Sequence, residues 1–137
     1  MTAVTAFWMV FGSTVVLLGV DLYTGLTGRR AVHLTTVVLT VAGLVGSIVL
    51  ALRMGSGSAF APGIQLVHRA LARTVVVLVL PMAVTGIMIL SSNKASARRV
   101  HRRVAFVLVA LAVAAAGTGI AMKSTAYPAT ARAERIP

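Results

Sequence analysis

The sequence predicts an all-α integral membrane protein, a four-helix bundle with both termini on the same, outer side of the bilayer. Three observations carry that prediction. Four apolar stretches, Thr5–Leu26, Ala31–Leu52, Thr74–Leu90 and Val104–Met122, fill most of the 137 residues. Each approaches the ~20 residues that cross about 30 Å of hydrocarbon in an α-helix. Charge is confined almost wholly to the breaks between them. Finally, 58% of residues are hydrophobic and 11% charged, against roughly 45–50% and about 25% in soluble globular domains.

Taken in order, the first stretch begins without Lys or Arg, so it lacks the positive start of a signal peptide, and it ends without a small-residue cleavage site. It is expected to be a retained helix, with Phe7 and Trp8 at the interface. Thr27–Arg30 is a short polar break, and the second stretch follows it. Residues 53–73, RMGSGSAFAPGIQLVHRALAR, open as a Gly/Ser loop. Helical spacing returns with Ile64, Val67 and Leu71, so the third helix should begin before its apolar part. Pro81 falls inside that helix and should kink it near Val77, because proline lacks the donor N–H. The run SSNKASARRVHRR precedes the fourth stretch. These bounds give a transmembrane domain over 1–122, with spans at about 5–26, 31–52, 68–91 and 101–122. A polar tail over 123–137 is expected to be disordered.

Loop charge sets the orientation. Arg29 and Arg30 occupy the first break, and Lys94, Arg98, Arg99, Arg102 and Arg103 crowd the third. With four spans these breaks share a side, and the positive-inside rule makes that side cytoplasmic. Loops 27–30 and 92–103 are thus expected in the cytoplasm, against the pull of Arg53, Arg69, Arg73, Lys123, Arg132 and Arg135 on the other side. The preference for Ala, Val, Thr and Arg over Ile, Lys and Asn is that of a GC-rich bacterial coding sequence. The expected location is therefore a bacterial cytoplasmic (inner) membrane.

Composition excludes several functions. There are no cysteines, hence no disulfides, thiolate metal sites, Fe–S clusters or covalently attached haem. A net charge of +11 would point to nucleic acid in a soluble chain. Here the seven cations of the first and third breaks are read as anchors on anionic lipid headgroups, not as a nucleic-acid surface. No Ser–His–Asp arrangement, P-loop, H-E-x-x-H motif or carboxylate pair is present to run hydrolase or kinase chemistry.

Two sets of residues could carry chemistry. Asp21 is the only acid before Glu134 and lies within the first span. A lone carboxylate at mid-membrane costs about 2.5–3.5 kcal/mol on insertion scales, less near the interface. It should therefore face the bundle and find a partner, for which Arg29, Arg30, His33 and Arg102 emerge on the same side. The reading preferred is a helix-tethering ion pair or a protonated acid near the headgroups. A proton-relay or cation-binding carboxylate is the functional alternative, weakened by the absence of a second acid.

The histidines are His33, His68 and His101. Threading puts His33 and His101 on one side of the membrane, at the starts of helices 2 and 4, and His68 on the other. Three scattered histidines without carboxylates or thiolates do not make a zinc or copper site, so no such metal is expected. Two imidazoles at matching depth could instead ligate a b-type haem. His68 with Ala72 and His101 with Ala105 follow an H-x-x-x-[GA] pattern, with Gly86 and Gly119 later in the same helices. VHR at 67–69 recurs at 100–102 and TGI at 85–87 recurs at 118–120. On these residues helices 3 and 4 resemble the small transmembrane b-type cytochromes. The resemblance implies a b-type haem, and matching depth would put it on His33 and His101, with Arg102 or Arg103 near the propionates. The chain departs from that pattern where His101 sits among arginines and where no second histidine accompanies His68.

Ala42-x-x-x-Gly46, Gly43-x-x-x-Ser47 and Ala115-x-x-x-Gly119 are small-residue pairs suited to helix–helix contact. With reactive groups so sparse, the first functional reading is a non-catalytic accessory or structural subunit of a larger membrane complex. It would carry no cofactor and would have membrane lipids and other membrane subunits as partners. The alternative is a haem-b electron carrier or membrane anchor of an oxidoreductase chain. A small transporter comes third, since Asp21 lies too near a helix end to mark a central site.

Overall fold

The computed structural model describes residues 2–55, 58–92, 95–124 and 127–128. Four helices account for nearly all of them: α1 (Ala3–Thr27), α2 (Arg30–Gly55), α3 (Pro62–Ser92) and α4 (Ala95–Ser124). Each is long and apolar enough to span a membrane, with a mean hydropathy of 2.0 in the best window of α1 and 2.3 to 2.4 in the others. The four-span, all-helical reading therefore holds, and the chain is a small multi-pass membrane protein by its helices. Beyond them, Ser58–Ala59 pairs with Tyr127–Pro128 in a two-residue ladder. Lys94 and the remaining tail positions on which the sequence reading drew lie outside the described residues.

Burial runs opposite to that of a water-soluble protein. Val75 and Ala97 are the only buried apolar residues described, whereas Thr14, Asp21, Thr24, Ser47 and Thr85 are all buried. Val16, Leu52, Leu66 and Leu80 are each at least two-thirds exposed. Water would not tolerate so much apolar surface, but hydrocarbon solvates it at no cost. Helix contact must then come from close backbone approach and polar pairing, and both occur.

The helices form two antiparallel hairpins, α1–α2 and α3–α4. In the first, Gly28 takes a left-handed conformation at φ 73°. Its N–H and that of Arg29 both donate to Thr24 O, closing α1. Glycine reaches this conformation without the steric penalty that a Cβ brings. The Arg29 guanidinium lies 5.8 Å from the Tyr23 ring centroid. Farther along, Gly43 is packed directly on the Thr14 side chain, and a Cβ on Gly46 would stand 3.4 Å from Val10 Cγ1. The two small-residue pairs read in α2 thus supply part of its contact with α1, with Ser47 buried beside them.

In the second hairpin α3 remains helical across Pro81. Thr85 Oγ1 donates to Pro81 O at 2.7 Å. At the other end α3 begins at Pro62 and α4 at Ala95, so both polar flanks of the apolar stretches are helical. His68 and His101 therefore sit on continuous helix, each in its second turn.

Candidate functional site

All three histidines are held the same way, by the antiparallel neighbour within their own hairpin. His33 places Nδ1 3.1 Å from Asp21 O and 3.4 Å from Thr24 Oγ1. His68 places Nδ1 3.0 Å from Ala115 O and 3.2 Å from Thr118 Oγ1. His101 places Nδ1 2.9 Å from Thr85 Oγ1. In each case a glycine follows that threonine, and the imidazole rests against it. A Cβ on Gly25 would lie 3.3 Å from His33 Cε1, one on Gly119 3.1 Å from His68 Cε1, and one on Gly86 3.7 Å from His101 Cε1. Three of the chain's four Thr-Gly dipeptides are therefore seats for a histidine ring.

Hydrogen-bond directions fix the tautomer. A carbonyl can only accept, so Nδ1 of His33 and of His68 must carry the proton to bond Asp21 O and Ala115 O. For His101 the acceptor is a hydroxyl, and its one proton is committed elsewhere. Thr85 Oγ1 donates to its own helix, at Pro81 O, and so must accept from His101 Nδ1–H. Thr24 donates in the same way to Val20 O at 2.8 Å, and Thr118 to Ala114 O at 3.0 Å. Neutral imidazoles held like this carry their lone pair on Nε2. Such an Nδ1–H bond to a carbonyl or hydroxyl is the outer-shell arrangement that orients a metal-ligating histidine. It also staples two helices together, and that structural role needs no ligand.

The α3–α4 hairpin holds two of the seats in reciprocal form. His68 of α3 meets Thr118-Gly119 of α4, and His101 of α4 meets Thr85-Gly86 of α3. The recurrence of VHR and TGI in the sequence is thus one local structure made twice. The threonines Thr24, Thr85 and Thr118, and Gly25 among the glycines, were not singled out as histidine partners by sequence reasoning. The repeat itself was the signal for two of them.

Asp21 differs from expectation. It is 8% exposed, and its Oδ2 accepts from Thr40 Oγ1 at 2.7 Å. Oδ1 is buried with no hydrogen-bond partner. No cation forms an ion pair with it among the described residues, so the tether is a neutral hydroxyl from α2. Arg29 turns to Tyr23 instead. Asp21 and His33 are nonetheless neighbours, because the Asp21 peptide carbonyl receives the His33 proton.

Around His101 the arginines divide by helical azimuth. Arg103 lies two residues on, which at 100° per residue puts it on the opposite side of α4. There it lines a shallow cleft with Ser96, Arg99 and Val100. Arg102 is a quarter-turn from His101 and stands closer to its face. No group of three or more His, Cys, Asp or Glu side chains that could hold a metal ion occurs among the described residues. No family model, no curated protein and no solved structure matches this chain.

Proposed function

We propose that the chain is a haem-b protein of the bacterial cytoplasmic membrane, acting as an electron carrier or as the haem-bearing anchor of an oxidoreductase. One observation carries the reading: every histidine in the chain has Nδ1–H bonded to the neighbouring helix, over a glycine, with the lone pair assigned to Nε2. His33 and His101 are the candidate haem ligands, each held within its own hairpin, α1–α2 and α3–α4. Arg102, a quarter-turn from His101 on α4, would pair with a propionate, where a charge-assisted pair stabilises the acidic group. Bound haem supplies one-electron redox chemistry. The chain's own residues orient the imidazoles through Nδ1 and surround them with apolar helix faces. A cofactor-free accessory subunit, the first reading of the sequence, stands second because of the three histidine seats.

The test is optical. Purified protein from haem-replete cells should show the reduced-minus-oxidised spectrum of low-spin haem b. His33→Ala and His101→Ala should each abolish it, and Thr85→Val should weaken haem retention without removing His101. A colourless protein whose histidine variants lose only thermal stability would make the seats helix staples. The accessory-subunit reading would then replace this one.

A further inference from the structure

We propose that the cleft near the start of α4 binds the phosphodiester of one anionic glycerophospholipid between Arg99 and Arg103, with an acyl chain along the same flank of the helix. The inference is independent of the haem reading. It separates a single lipid site from the general attraction of basic loops to anionic headgroups. Ala97, 5% exposed, and His101, which bonds Thr85, mark the side of α4 turned to α3. At 100° per residue from Ala97, the residues Val100, Ser96, Arg103 and Arg99 follow one another round one flank, while Arg98 and Arg102 take the other. The first four line the cleft. Arg99 and Arg103 stand at i and i+4, where like charges are neighbours and repel. No Asp or Glu lies between Asp21 and Glu134, so α3 and α4 carry no carboxylate to neutralise the pair.

The chemistry of the cleft is that of a phosphate site. Guanidinium forks match phosphate oxygens in bidentate fashion, and the Ser96 hydroxyl can donate a further bond. The first turn of α4 contains no acid, so its free amides and the helix dipole favour an anion at the same end. What lies below selects a lipid over free phosphate. Arg103 is the last charged residue before the apolar stretch Val104–Met122, which sets the cleft at headgroup level. Seven and eleven residues after Arg103 the same flank carries Ala110 and Ala114, both exposed, with Val107 above them. Half of a hydrocarbon core is about 15 Å, or roughly ten residues of helix. Val107, Ala110 and Ala114 therefore form a track of short side chains as deep as one leaflet, and Val100 joins it to the cleft. A zwitterionic headgroup would bring its own cation against the two arginines, so an anionic one is preferred.

The experiment uses the full chain purified in detergent and native mass spectrometry with added dioleoyl phosphatidylglycerol or dioleoyl phosphatidylcholine. The first lipid should fill one site per chain at about a tenth of the concentration that the second needs. Arg99→Gln and Arg103→Gln should each weaken it about tenfold, as expected for the loss of a hydrogen bond to a charged group. Arg98→Gln removes the same charge on the other flank and should change binding less than twofold. Inorganic phosphate at constant ionic strength should not displace the lipid. Circular dichroism should show the same helix content in all three variants, so that a loss of lipid is a loss of the site. Equal losses in the three variants overturn the proposal and leave only general attraction to headgroups. Equal binding of the two lipids overturns it too, as does displacement by inorganic phosphate.

Discussion

Gly43→Ala tests whether the α1–α2 hairpin closes through backbone contact. A Cβ on Gly43 would be driven into Thr14 Oγ1, closer than side-chain atoms ever approach, and would also stand 3.4 Å from Thr14 Cβ and 3.6 Å from Thr14 Cγ2. Thr14 has little room to yield, because its hydroxyl donates to Val10 O at 2.7 Å and the residue is buried. Either that bond breaks, at about 0.5–1.5 kcal/mol, or the helices move apart. Overpacking of this kind costs roughly 1–3 kcal/mol in total, against a gain of up to ~1 kcal/mol from replacing glycine in a helix. Gly12→Ala is the matched control, since nothing lies within 4 Å of its Cβ position, and it should be neutral or stabilising. Unfolding of both variants in mixed detergent micelles, followed by circular dichroism, reads the difference. Thr14→Ala combined with Gly43→Ala should recover part of the loss, with a coupling of about 0.5 kcal/mol or more. Equal stability of Gly43→Ala and Gly12→Ala would refute the close approach.

Three further outcomes are expected. Asp21→Asn keeps an acceptor for Thr40 and should be better tolerated than Asp21→Ala, which should cost about 1–3 kcal/mol in the same unfolding assay; equal tolerance of Asn, Ala and Leu would show that the Thr40 contact is not stabilising. Gly28→Ala should lose about 1 kcal/mol because a Cβ is strained at φ 73°, with Gly28→Asn milder, as thermal unfolding will show. Reporter fusions at Ser92 and Ser56 should fall on opposite sides of the membrane, Ser92 in the cytoplasm, and the reverse result would invert the charge-based orientation.

The spans could be read directly because hydropathy over twenty residues does not depend on how helices pair. The seats depend on register, which is set at the turns. Thr24 and His33 lie equally far from the Gly28–Arg29 turn, and so do Thr14 and Gly43. In the other hairpin, His68 and Thr118 stand 25 residues on either side of position 93, and Thr85 and His101 stand 8 on either side. Reflection about the midpoint of each antiparallel helix pair would thus have matched each histidine with its Thr-Gly seat from the sequence. The repeat at an offset of 33 was visible, but without a fold its two halves looked like parallel copies, not partners that hold one another. The partner of Asp21 was not legible for a different reason. Counting charges near one membrane surface suggested a cation, whereas a buried carboxylate takes its hydrogen bond from the facing helix, where Thr40 lies. In hydrocarbon, threonine can serve this role because its hydroxyl also bonds its own helix when no partner is present. The same chemistry recurs at every seat, where a threonine bonded to its own helix becomes an acceptor for the next. Of the buried polar residues described, Asp21, Thr24 and Thr85 set an imidazole, while Thr14 and Ser47 lie along the α1–α2 contact, and the apolar majority decides only that they do so within a membrane.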